Sequence, residues 1–103
     1  MLSETKFACT KLGDAFFENA QLNKADLRHA DAVGTQFKGA QLMETDFSDA
    51  TVSRTVFAES HLDKADFARA SGVCEADFAT ILGIPACNKA MLGCWASVVE
   101  AAC

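Results

Sequence analysis

The chain has 103 residues, half of them hydrophobic, enough for a single domain with one core. Its net charge is -5 with only nine Lys and Arg, too few clustered cations to neutralise phosphates, so direct nucleic-acid binding is not expected. Eight Phe, one Trp and no Tyr leave nearly every aromatic ring unable to hydrogen-bond, which suits a dry interior better than an exposed binding surface.

The first ten residues include Glu4 and Lys6 and contain no apolar stretch of the signal-peptide kind. No apolar run is long enough to cross a bilayer, and no membrane partner is expected. Five cysteines are an odd number without a secretory context. They read as reduced thiols in a cytoplasmic protein.

From Leu2 onward a large apolar residue recurs every fifth position: Leu2, Phe7, Leu12, Phe17, Leu22, Leu27, Ala32, Phe37, Leu42, Phe47, Val52, Phe57, Leu62 and Phe67. Twelve of these fourteen are Leu or Phe, where chance would place about two. Two residues before each large one from Phe7 on stands Ala, Ser or Thr, from Thr5 and Thr10 to Ala65, and Ala70 continues the series. Neither common element accepts this period. On an α-helix a step of five turns about 140°, which scatters the large residues around the circumference. On a strand an odd step alternates faces, which sends half of them into solvent.

One interior can hold them all only if the chain turns a corner every five residues. Four corners close a square coil of twenty residues, and successive coils stack at about 4.8 Å with their backbones paired. Leu2, Leu22, Leu42 and Leu62 then form one interior column, and Phe7, Leu27, Phe47 and Phe67 a second. Leu12, Ala32, Val52 and Gly72 form a third, the least well filled. Phe17, Phe37 and Phe57 form the fourth, which Phe78 joins if one residue is inserted.

Runs such as Ala25-Asp26-Leu27, Thr45-Asp46-Phe47 and Ala65-Asp66-Phe67 resemble the A(D/N)LXX pattern of pentapeptide-repeat proteins. The likeness covers roughly residues 2–80 with an unbroken register through fourteen repeats. It implies an all-β fold: a right-handed quadrilateral parallel β-helix of about four coils with a C-terminal α-helix cap. The period by itself leaves the hand open. The expected organisation is a β-helix over 1–83 and a C-terminal helix, cap or dimer contact, within 84–103.

Between Phe67 and Phe78 the register slips by one residue, and Gly72-Val73-Cys74-Glu75 reads as a bulge at a corner. Gly83-Ile84-Pro85 then ends the period. From Ala86 the chain reads as a helix of about 16 residues, with Pro85 suiting its first turn and Gly93 weakening it. Met91, Cys94, Trp95 and Val98 share a face, which Cys87 extends. The helix serves as a lid over the open end of the coil. Its alternative role is a homodimer contact through Met91, Trp95 and Val98, and family members often pair end to end.

The outward positions also form columns. Glu4, Lys24, Glu44 and Lys64 alternate in sign and read as an exposed charge ladder. Asp26, Asp46 and Asp66 stack like charges and form the candidate interaction surface, unless they are simply solvated and hydrogen-bonded near a corner. Cys9, His29, Asp49 and Arg69 line up as thiol, imidazole, carboxylate and guanidinium, but a flat face offers neither a pocket nor oxyanion donors. There is no phosphate-binding glycine loop, CxxC or HExxH, and Cys87 and Cys94 stand too far apart on a helix, about 10 Å, to share a zinc unaided. No cofactor or metal is expected, and no enzymatic activity.

The sequence therefore favours a non-catalytic binding or scaffold protein that presents flat faces to a protein partner. The family resemblance adds a second reading, DNA mimicry towards DNA gyrase, since some members bind gyrase. Residues 1–83 carry the acidic imbalance, 13 acidic against 8 basic. A third reading is a ribosomally made precursor, with the β-helix as a folded leader and Cys87, Cys94 and Cys103 as modified or reactive thiols in the tail.

Overall fold

The structure, a computed structural model, describes residues 4–86 and 88–100. Leu2, Cys87 and Cys103 lie outside the described residues. Each pentapeptide makes the same local move. The amide of the small residue donates to the carbonyl of the large residue three positions before it, as Ala30 N does to Leu27 O at 3.1 Å and Ala40 N to Phe37 O at 3.0 Å. The second of the two residues between them has positive φ, from Cys9 (61°) to Arg69 (57°). A positive φ at that position alone is the signature of a type II turn. Such a turn redirects the chain without reversing it, so four of them close one coil.

Parallel bridges join residues twenty apart, from Lys6 with Asp26 to Thr51 with Ser71. Each side of the square is extended for too short a distance to form a continuous strand, and the pairing appears as isolated bridges. Three amide bonds per side bind one coil to the next. Around Leu27 these are Leu27 N to Asp46 O (2.8 Å), His29 N to Ser48 O (3.0 Å) and Asp46 N to Ala25 O (3.1 Å). The coil is thus satisfied by its neighbours along the axis rather than by local helix or hairpin bonds.

The interior is filled by the columns that the period defines. Phe37, Phe47, Phe57, Phe67 and Phe78 and Leu22, Leu27, Leu42 and Leu62 are fully buried. Two phenylalanine columns run along the axis. Phe17, Phe37, Phe57 and Phe78 stack at 5.4, 5.5 and 4.8 Å, and Phe47 stacks on Phe67 at 4.8 Å. Across the core the two columns meet edge to face, as Phe47 and Phe57 do at 5.5 Å and 88°. Both arrangements are favoured by the ring quadrupole. Buried hydroxyls lie beside the rings and donate to backbone carbonyls: Thr35 to Leu12 O at 2.7 Å, Thr55 to Ala32 O at 2.6 Å and Ser60 to Phe57 O at 2.6 Å. Among the described residues no buried side-chain polar atom lacks a partner. Phe7, Leu12 and Phe17, in the first coil, are only half-buried.

The register slip falls where the sequence places it. Val56 pairs with Asp77, twenty-one residues on. The inserted residue is taken up at 72–76, where Glu75 N and Ala76 N both bond to Gly72 O at 3.0 and 3.1 Å. Gly72 has φ +81°, and a Cβ there would meet Ser53 N at 2.7 Å. Val73, not Gly72, is the buried residue of the third column at this level.

The C-terminal helix α1 spans Lys89–Val99. It is shorter than the 16 residues expected from Ala86, because Asn88 caps it: the Asn88 side chain accepts from Ala90 N at 2.9 Å and Met91 N at 3.4 Å. Before the cap the chain still follows the coil, with Ala86 N bonded to Ala65 O at 2.9 Å. At Trp95 the backbone leaves the helical region (φ -122°, ψ 30°), which kinks α1.

Candidate interaction surface

With the interior filled, chemistry can act only on the outer faces. Among the described residues no cavity opens and no group of three or more His, Cys, Asp or Glu could hold a metal ion. No described helix is long and apolar enough to cross a membrane.

The Asp26, Asp46 and Asp66 column lies along one face, directly on the bridge positions. Each carboxylate accepts the amide two residues on: Arg28 N at 3.1 Å, Ser48 N at 2.9 Å and Ala68 N at 2.9 Å. Asp31 and Asp77 do the same with Val33 N and Ala79 N. Aspartate at this position therefore acts first as an Asx clamp on the turn that follows it.

Arginines neutralise much of the remaining charge. Arg28 forks onto Asp26 with bonds of 2.9 and 2.7 Å and reaches Asp46 at 4.0 Å. The guanidinium holds the Asp26 carboxyl down to about 2. Arg69 grips Asp49 in the same way, at 2.9 and 3.0 Å, and holds that carboxyl below its ordinary range. The face carries Lys6, Arg28 and Arg69 against Asp26, Asp46, Asp49 and Asp66, a lattice of both signs. Asp66 is exposed and has no arginine partner among the described residues.

Within this lattice the row from Cys9 to Arg69 does not form a catalytic relay. His29 lies 3.8 Å from Asp49, but the Asp49 carboxylate is forked by Arg69 and does not orient the imidazole. The Cys9 thiol is free and exposed. In the alternating column only Lys24 and Glu44 approach each other among the described residues, at 3.9 Å with both side chains half-exposed or more. Such a pair contributes at most a few tenths of a kcal/mol.

Pentapeptide repeats match residues 2–39, 20–57 and 40–71, in eight copies. The chain belongs to the pentapeptide-repeat family. Among solved structures it is similar to a pentapeptide-repeat protein of the Arabidopsis thaliana thylakoid lumen. The TM-score is 0.66 at 18% identity, over 94% of this chain and 74% of that one. It is also similar to HetL, a pentapeptide-repeat protein involved in heterocyst differentiation regulation in the cyanobacterium Nostoc. There the identity is 30% over 63% of this chain and 30% of that one, with a TM-score of 0.35. A third likeness is to Rfr23 from the cyanobacterium Cyanothece, at 18% identity and a TM-score of 0.43, over 77% of this chain and 58% of that one. No curated protein matches.

At the C-terminal end of this pentapeptide-repeat protein the structure places Met91, Trp95 and Val98, the candidate homodimer contact, and corrects one cysteine expectation. Helix α1 lays these three residues on its own last coil. Met91 is fully buried, Val98 is half-buried, and Trp95 donates its indole N–H to Val73 O at 2.9 Å while its ring meets Phe78 edge-on. The physical reason is that Phe67 and Phe78 would otherwise end the core in water. Cys94, expected as a reduced and reactive thiol, is disulfide-bonded to Cys74. The bulge brings Cys74 to the helix, a meeting that residue spacing does not reveal. Cys87 and Cys103, the other two candidate thiols, lie outside the described residues.

Proposed function

We propose that this pentapeptide-repeat protein is a non-catalytic scaffold that presents the Asp26–Asp46–Asp66 face to a protein partner. The observation that carries the reading is the combination of a filled interior with a flat, rigid lattice of charged side chains. Such a face has no means of enclosing a small substrate, but its charge pattern can select a complementary protein surface. Right-handed winding, the hand expected from the family likeness, completes the reading of a straight four-sided rod. The mixed signs along this face favour a mixed-charge protein partner over a purely cationic groove that binds duplex DNA, so DNA mimicry towards gyrase receives less support.

The test reverses charge on one face at a time. The full chain, an Asp46→Lys/Asp66→Lys variant and a Glu59→Lys control on another face are immobilised and compared for proteins retained from a lysate of the source organism. The scaffold reading expects a defined protein held by wild type and by the control but lost from the double variant. Retention by all three alike, or by none, overturns it.

A further inference from the structure

The bulge and the cap meet at one covalent point. Cys74 belongs to the inserted segment at 72–76 and Cys94 to α1, and both are exposed. The remaining attachments of α1 are few. Asn88 donates its side-chain amide to Phe67 O at 2.5 Å, Trp95 bonds to Val73 O, and Met91 and Val99 are buried. Val73 and Cys74 are neighbours, so the bulge supplies both the polar and the covalent seat for the second half of α1.

Helix α1 has little stability of its own. It is 11 residues long, kinked at Trp95, and contains Gly93, whose neighbourhood is open. Helices of this length are marginal in water, and an interior glycine weakens them further. The docked state therefore depends on contacts with the coil and on the disulfide. The four-coil interior does not depend on α1 in the same way, because each coil is bonded to the next throughout.

We propose that Cys74–Cys94 is a redox latch on the cap: a dithiol reductant opens it and frees α1 to leave the last coil, while the coil itself stays folded. In the first step a reductant thiolate attacks one sulfur of the bond, forms a mixed disulfide and expels the other cysteine as a thiolate, which takes up a proton. The second reductant thiol then displaces the first cysteine. Cys74 and Cys94 gain two electrons and two protons and end as thiols, and the dithiol ends as its own disulfide. Oxidation by a disulfide reverses both steps. Release uncovers Phe78 and the carbonyls of Phe67 and Val73, an apolar end with unpaired backbone acceptors.

Cysteines twenty residues apart close a loop whose entropy corresponds to roughly two decades in an equilibrium constant. Reduction should therefore raise the opening of α1 by about a hundredfold. The experiment uses the full chain carrying Cys9→Ser, Cys87→Ser and Cys103→Ser, which prevents reshuffling. Amide hydrogen exchange and emission of Trp95, the single tryptophan, are followed with and without excess dithiothreitol. The latch requires three results together: exchange over 91–99 about a hundredfold faster when reduced, a red shift of Trp95, and unchanged exchange at Phe37, Phe47 and Phe57. It also requires recovery on adding oxidised glutathione. Adding Cys94→Ser to this background should give the reduced behaviour in either buffer. Equal exchange of α1 in both states overturns the proposal. So does loss of protection throughout the coils, which would make the bond a staple of the whole fold, and so does finding Cys74 and Cys94 as free thiols after mild oxidation.

Discussion

Replacing Phe37 by alanine tests the inside-outside assignment at its centre. The Phe37 ring is fully buried and touches three others: Phe17 and Phe57 stacked at 5.4 and 5.5 Å, and Phe47 edge-on at 5.9 Å. Truncation removes the transfer free energy of the ring and leaves a cavity between two coils held rigid by the amide bonds on either side. Core Phe→Ala changes cost about 3–5 kcal/mol, and three lost ring contacts with little freedom to collapse place this one at the upper end. Lys38, one residue along, is exposed, and Lys38→Ala should cost under about 0.5 kcal/mol. Phe17→Ala should fall between them, since Phe17 lies in the first coil and is only half-buried. Urea unfolding of the four proteins, followed by circular dichroism with the slope m compared across the set, gives the three differences. Equal losses at Phe37 and Lys38 would refute the assignment. A Phe17 loss as large as that at Phe37 would refute the account of burial along the axis.

Three further outcomes follow from local geometry. Gly72→Ala should destabilise by more than about 1 kcal/mol in the same assay, because φ +81° and a Cβ only 2.7 and 2.9 Å from Ser53 backbone atoms leave no side chain to move aside. Thr55→Val keeps the shape but removes the buried hydroxyl donor to Ala32 O, at a cost of about 1 kcal/mol in thermal or urea unfolding. The Asp26 carboxyl, followed by NMR against pH, should titrate near 2 and return to the ordinary carboxylate range in Arg28→Ala. Because its folded value is depressed, whatever stability the Asp26–Arg28 pair contributes is present above about pH 4 and is lost as pH falls towards 2. Its exposure makes that contribution small.

Much of this molecule is determined by its sequence alone, and the reason is the five-residue period. A period that fits neither helix nor strand leaves one geometry in which Leu22, Phe37, Leu42, Phe47 and Phe57 share an interior, and they do. Even the inserted residue near Gly72 is visible as a break in that period. The turn conformation is less legible. Glu44, Asp49, Arg54, Glu59 and Lys64 all hold φ near +60°, a region where glycine is expected. Bonds between coils impose it, at about 1 kcal/mol per residue, whatever side chain stands there.

Only the tertiary structure decided the ends and the surface pairings. The helix start was open to a closer reading, since Asn88 before Lys89-Ala90-Met91 is an N-cap signal. The fate of Met91 and Trp95 was not, because an amphipathic stripe looks the same whether it covers its own coil or a second copy. The aspartate column looked like accumulated charge, yet each Asp is clamped to its own turn, and Arg28 forks onto Asp26 and reaches Asp46. The Cys74–Cys94 bond was the least legible of all. Periodicity states which residues point inward, but which two thiols meet depends on how a bulge and a docked helix place their Cβ atoms in three dimensions.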